Sequence, residues 1–192
     1  LEKLAFYPKV FQYMAKIASE LDFELVMVTN QDGLGTVSFP EETFWPAQNK
    51  VMSAFEKEGV VFSDVHIDRT FPHENAVTRK PRTGLLTKYF SEAYDLKNSF
   101  VLGDRITDME LAKNLGSKGI YLSEDPELGA DEIETNKQEI LDCIALTSTD
   151  WSEIYEFLKL KDRVVEISRN TNETKIYIKV NLDGSGKNDI DT

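Results

Sequence analysis

The segment Ser99-Phe-Val-Leu102-Gly103-Asp104 constrains the fold of this chain more than any other. A short apolar run is the pattern of a strand buried on both faces, and glycine followed by aspartate ends it abruptly. The pattern recurs at Glu24-Leu-Val-Met-Val28, which runs into the polar, glycine-punctuated loop Thr29-Asn-Gln-Asp-Gly-Leu-Gly35. Further strand candidates are centred on Val65-His-Ile67 and on Gly119-Ile-Tyr-Leu122. Helical patterns separate them. Leu4, Phe6, Val10, Phe11, Met14, Ile17, Ala18 and Leu21 recur at helical spacing, with Pro8 suited to the first turn. A second helix is predicted from Pro40-Glu-Glu-Thr43 to Gly59, and others over 84–90, 108–115 and 151–160. The acidic stretch 123–138 reads as a surface connection. Strands alternating with helices predict an α/β domain with a mainly parallel sheet and helices on both faces. Ligands in such sheets bind beyond the carboxyl ends of the strands, where the loops after Val28 and Leu102 both lie.

The texture changes after Lys161. Val164-Val-Glu-Ile-Ser168 and Lys175-Ile-Tyr-Ile-Lys-Val-Asn-Leu182 alternate apolar and polar residues, which predicts antiparallel, half-exposed strands. Residues 1–161 are therefore read as one domain, and 162–192 as a short β segment from a second. Hydrophobic residues at 41% suffice for a sizeable core. No apolar run reaches the roughly 18–20 residues of a membrane span. The net charge of −12 argues against a nucleic-acid surface. Cys143, the single cysteine, excludes an intrachain disulfide and reads as core filler in Cys143-Ile-Ala-Leu146. A reducing, cytoplasmic setting is expected. His66 and both tryptophans, Trp45 and Trp151, read as structural.

Three constellations carry chemistry. In Gly103-Asp104-Arg105-Ile-Thr-Asp108, Asp104 lies where a hard oxygen ligand could hold Mg²⁺ beside a phosphate. Asp108, in the first helical turn, could steady that site from behind, or either aspartate could cap the helix. Thr29, Asn30 and Gln31 offer a hydroxyl, amides and backbone N–H groups to a phosphoryl oxygen, or form an ordinary turn. Arg79-Lys80-Pro81 places Lys80 to offset phosphate charge, or is a solvated basic pair.

In that order the three motifs resemble those of the haloacid-dehalogenase (HAD) phosphatases, and within them the histidinol-phosphate phosphatases. There Thr-Asn-Gln-(Asp/Ser)-Gly, Arg-Lys-Pro and Gly-Asp-Arg-x-Thr-Asp recur together, matching Thr29–Gly33, Arg79–Pro81 and Gly103–Asp108. The resemblance spans residues 1 to about 160 and implies a HAD-like Rossmannoid sheet. It implies phosphate contacts from Thr29, Asn30, Gln31 and Arg79, charge stabilisation by Lys80, and Mg²⁺ on Asp104. The tail, with Arg169-Asn-Thr-Asn-Glu-Thr174 and Asn181-Leu-Asp-Gly-Ser-Gly186, is similar to the opening of imidazoleglycerol-phosphate dehydratases, with Glu173 a candidate for their site. A small phosphorylated substrate is implied, with oligomerisation through a complete dehydratase domain.

The chain departs from these families twice. It contains no Asp-x-Asp-Gly-Thr motif, whose first aspartate attacks phosphorus and whose second is the general acid/base. That strand belongs between those ending at Val28 and Leu102, so a segment of roughly 25–35 residues is expected upstream, because a gap would leave unpaired backbone groups. Many relatives also carry a loop of three cysteines and a histidine. Here Thr70-Phe-Pro-His-Glu-Asn-Ala-Val-Thr78 keeps only His73, so zinc is not expected and His73 reads as a solvated loop residue. The rival readings are a sugar-bisphosphate phosphatase, a non-catalytic phosphate-binding module, and a receiver-like domain with Asp68 as phosphoacceptor.

Overall fold

A computed structural model describes residues 4–123, 125, 128–162, 164–171 and 175–181. The chain opens with α1 (Val10–Glu20), whose Val10, Met14 and Ile17 are buried. The helix is shorter than its apolar pattern: Pro8 lies in a turn ahead of it, and Leu4 and Phe6 remain partly exposed. Strand β1 (Val26–Asn30) follows, then α2 (Glu41–Lys57), with Glu41 and Glu42 in its first turn, where carboxylates suit the helix dipole. Strand β2 (Asp64–Asp68) pairs parallel with β1. Gly84–Phe90 is helical as expected, but of the tighter 3-10 kind.

Strand β3 (Phe100–Gly103), helix α3 (Ile106–Leu115) and strand β4 (Lys118–Tyr121) form a βαβ unit. Two elements escaped the sequence reading: α4 (Lys137–Leu141) and β5 (Ile144–Thr147). Polar residues around them hid α4, whose Ile140 is fully buried. The apolar run 143–146 holds β5, which pairs parallel with β4 in a sheet of order β3-β4-β5. Cys143 is half-buried at its edge, its thiol donating to the Met109 carbonyl at 3.2 Å. Helix α5 (Trp151–Asp162) closes this part.

Helices cover both faces. On one, Val10, Met14 and Ile17 of α1 pack with Ile154, Tyr155 and Leu158 of α5 against Ile120 and Leu122. On the other, Leu111 of α3 joins Leu86 and Tyr89 over Val28 and Val101. The strand pair β6 (Val164–Asn170) and β7 (Lys175–Asn181) is antiparallel as expected, but the expected half-buried face is not formed among the described residues: Ile167, Ile176, Tyr177 and Ile178 are all exposed, because consecutive residues on both faces of β7 face solvent. Glu173 and the stretch 182–186 lie outside the described residues. Among the described residues no helix is long and apolar enough to cross a membrane.

Only β4 meets the expectation of burial on both faces. Strands β1 and β3 are half-exposed along nearly their whole length. The physical reason is a groove of about 780 Å³ between them, lined by Leu25–Val28 on one side and Phe100–Leu102 on the other and floored by Leu111 and Leu158. Among the described residues β1 and β3 do not pair with each other. Lys80 and Asp108 lie at one end of this groove.

Candidate phosphoryl-transfer site

The loops after β1 and β2 are zipped together by backbone bonds. The Gln31 N–H donates to the Asp68 carbonyl at 2.7 Å and the Gly33 N–H to Arg69 at 3.0 Å. Onto this platform Asn30 fixes the Lys80 main chain from both sides. Its Oδ1 accepts from the Lys80 N–H at 3.0 Å, and its Nδ2 donates to the Lys80 carbonyl at 3.1 Å. A side-chain amide is a match for a peptide unit, so one residue sets both position and direction of that backbone. The Lys80 ammonium then reaches the Val28 carbonyl at 3.2 Å and Asp108 Oδ1 at 2.8 Å. Thr29 Oγ1 accepts from Gln31 Nε2 at 2.8 Å, which leaves the hydroxyl proton to donate elsewhere.

On the β3 side, Asp108 Oδ2 accepts from the Arg105 N–H at 3.2 Å, so the carboxylate both caps α3 and holds Lys80. Gly103 makes this contact sterically feasible, since a Cβ there would stand 2.3 Å from Asp108 Oδ2. Asp104 is exposed, and nothing among the described residues hydrogen-bonds its carboxylate. Burial and the nearby Asp104 charge push the Tyr7 phenol up. Burial, with Asp125, Asp104 and Asp108 nearby, does the same to Tyr121. Among the described residues no three carboxylate, His or Cys side chains converge on one point. His73 lies exposed and stacked on Phe71, with ring centroids 5.5 Å apart.

Arg79 points elsewhere than its neighbour. Its side chain is 8% exposed and donates to Asp32 Oδ1 at 2.5 Å, to the Thr70 carbonyl at 3.0 Å and to Glu132 Oε2 at 3.5 Å. Burial pulls its guanidinium down, but Asp32, Glu132 and Asp68 outweigh it and hold the group above its ordinary value. Asp68 is 3% exposed, with its oxygens taken by Thr70 and by Thr78 at 2.5 Å. Burial pushes that carboxyl up, yet these bonds prevail and hold it below the usual range. A phosphoacceptor must be open to its donor, so the receiver-like reading fails on this burial.

The structure brings Asn30, Lys80 and Asp108 into one bonded group; Thr29 and Gln31 bond to each other next to Asn30, and Asp104 makes no bond to the group. Asp32, Asp68 and Glu132 went unnoticed as partners of the site. Asp32 lies inside the Thr29–Gly33 motif, Asp68 ends β2 and Glu132 follows β4, so no spacing connects them to Arg79 and only the fold brings them to it.

Two solved structures share this architecture. A D,D-heptose 1,7-bisphosphate phosphatase from B. bronchiseptica, complexed with magnesium and phosphate, superposes with a TM-score of 0.58 at 22% identity, over 79% of this chain and 82% of its own. A HAD-like phosphatase described from Mesorhizobium loti gives 0.61 at 23% identity, over 84% and 76%. The fold is that of the HAD-like phosphatases. No family model matches the chain. Over its whole length, however, it is related to the histidine biosynthesis bifunctional proteins HisB. It is 53% identical over 195 residues to that of Spirosoma linguale and 55% identical over 194 residues to that of Bacteroides fragilis. The chain spans about half the length of these relatives, 51% and 50%.

Proposed function

We propose that this protein is a phosphomonoesterase that hydrolyses L-histidinol phosphate to L-histidinol and phosphate in histidine biosynthesis, in the cytoplasm. The whole protein is further proposed to dehydrate imidazoleglycerol phosphate through a second domain beginning near residue 162. The observation that carries the phosphatase reading is the Lys80 ammonium, held by Asp108 and the Val28 carbonyl at the end of the groove between β1 and β3. The substrate rests on the relatedness to the bifunctional histidine-biosynthesis proteins.

In this reading an extended strand seated in the groove presents an aspartate beside Lys80, and that aspartate attacks phosphorus while the alkoxide leaves. A second carboxyl on the same strand protonates the leaving oxygen and then activates water. Lys80 stays fixed through both steps, its charge aimed at the equatorial phosphoryl oxygens, so no reorganisation is needed as negative charge grows. Thr29 donates its free hydroxyl proton to a phosphoryl oxygen, with Gln31 holding the oxygen of that hydroxyl in place. Asn30 acts chiefly by setting the Lys80 backbone. Mg²⁺, when bound, would offset phosphate charge, with Asp104 as its ligand from this chain. Asp108 caps α3 and keeps Lys80 oriented.

Phosphate release by the complete protein with Mg²⁺, measured on L-histidinol phosphate and on heptose 1,7-bisphosphate, tests the proposal. A kcat/KM at least about 100-fold higher for histidinol phosphate is expected, a margin of roughly 2.7 kcal/mol in transition-state binding. Equal or reversed preference would overturn the substrate, and no turnover of either would overturn the activity.

A further inference from the structure

The charged side chains along the carboxyl edge of the two sheets form one continuous chain. Asp32, in the loop after β1, holds both terminal nitrogens of Arg79, at 2.5 and 3.3 Å. Arg79 also donates to the Thr70 carbonyl, in the loop after β2. Glu132, from the segment after β4, accepts from Arg79 through Oε2 at 3.5 Å and from Arg105 through Oε1 at 2.8 Å. Arg105 immediately follows Asp104, and Arg79 immediately precedes Lys80.

We infer that Arg79 is a positioning residue, and that the chain Asp32–Arg79–Glu132–Arg105 locks the Lys80 peptide and the Asp104–Arg105 turn into one frame. The inference rests on the proposed phosphatase reading for its catalytic consequence, though not for its structural one. Four of the five guanidinium N–H donors already have protein partners, and the side chain is 8% exposed. Such a group has little left to offer a phosphate. Its fork geometry matches two carboxylates held at fixed angles, which a lysine ammonium could not reproduce. The chain matters here because β1-β2 and β3-β4-β5 are separate sheets among the described residues, with a groove between them. Lys80 stands on one side and Asp104 on the other, and Asp108 links them once by accepting from the Lys80 ammonium and from the Arg105 N–H. Glu132 adds a second, independent link by bonding to both arginines, and two links fix an orientation that one leaves free to pivot.

The test uses Glu132→Gln, Arg79→Lys and their double variant, with two separate readouts. The first is amide hydrogen exchange at Lys80 and Arg105 in the 192-residue chain, which needs no activity. Each single variant is expected to speed exchange at both amides at least about 10-fold, with the double variant close to the singles. Unchanged exchange at either amide in both variants overturns the inference, whatever the enzyme assay shows. The second readout is steady-state kinetics of the complete protein. A positioning role should lower kcat by about 10-fold or more and leave KM within about 2-fold, equally for Glu132→Gln and Arg79→Lys. If Arg79→Lys instead raises KM by about 10-fold or more while Glu132→Gln is neutral, Arg79 binds phosphate directly and the inference is overturned. If Arg79→Lys fails to fold, Glu132→Gln alone decides on both readouts. Failure of the phosphatase proposal would appear as no turnover by the unaltered protein, with the exchange result intact.

Discussion

Replacing Gly103 with alanine is expected to destabilise the protein, although the usual effect of that exchange points the other way. Alanine restricts the unfolded chain more than glycine and ordinarily stabilises by about 0.4–1 kcal/mol where the native backbone tolerates it. Gly103 has no left-handed conformation, so backbone strain offers no objection. The objection is space. A Cβ at Gly103 would stand 2.3 Å from Asp108 Oδ2 and 2.4 Å from both Cβ and Cγ of Asp108. Asp108 lies in the buried first turn of α3, between the fully buried Ile106 and Met109, so it cannot simply swing out. Overpacking of this kind costs about 1–3 kcal/mol, and loss of the charged Lys80–Asp108 bond adds about 1.5 kcal/mol, for a total of about 2.5–4.5 kcal/mol. With a urea slope of about 2 kcal/mol per molar, the midpoint should fall by about 1–2 M at unchanged slope. Because the Asp108 Cβ itself is in the way, adding Asp108→Ala should not restore stability. Urea unfolding followed by circular dichroism reads all three chains. A midpoint for Gly103→Ala equal to or above that of the unaltered chain would refute the reasoning, as would full rescue by Asp108→Ala.

Three further outcomes are expected. Lys80→Met in the complete protein should lower kcat about 100-fold or more, since a fixed cation at the developing charge is lost; a change under about 5-fold in steady-state phosphate release would remove Lys80 from its proposed role. Ile154→Ala, at a fully buried position between α1 and α5, should cost about 2–5 kcal/mol by urea unfolding, and a cost below about 1 kcal/mol would mean that this interface is loosely packed. Asp68 has a folded-state carboxyl held below its unfolded value, so its contribution is fully present above about pH 4 and is lost as pH falls through the folded value. Asp68→Asn should therefore flatten the stability–pH curve below about pH 4 and lower stability at about pH 7, as thermal melts across that range would show; an unchanged acid slope would count against the bonded carboxylate.

How much was legible in the sequence depended on whether a signal was local. β2 and α5 fell close to where apolar periodicity placed them, and α3 began two residues before its predicted start. β1 was displaced by two residues, because its apolar run gives no register until the Asn30–Lys80 pairing sets where the strand stops. β5 and α4 were missed, since four apolar residues or a single buried isoleucine give no period to read.

The sequence by itself determined the parallel α/β class, the carboxyl-end loops that bear the chemistry, and the three motifs around Thr29, Lys80 and Asp104. Each follows from neighbouring residues: an apolar run must be buried, and a glycine beside an aspartate ends it. Only the tertiary structure decided that Asn30 grips the Lys80 backbone, that Gly103 makes room for Asp108, and that adjacent Arg79 and Lys80 turn to different partners. The charged and amide pairings among them join residues 28 to 53 positions apart, such as Lys80 with Asp108 and Arg79 with Glu132, and the Gly103–Asp108 fit matters because Asp108 is held for Lys80. Local spacing cannot encode such a pairing, because a charged side chain in a loop satisfies its own segment equally well with any partner, and packing alone selects which one it meets.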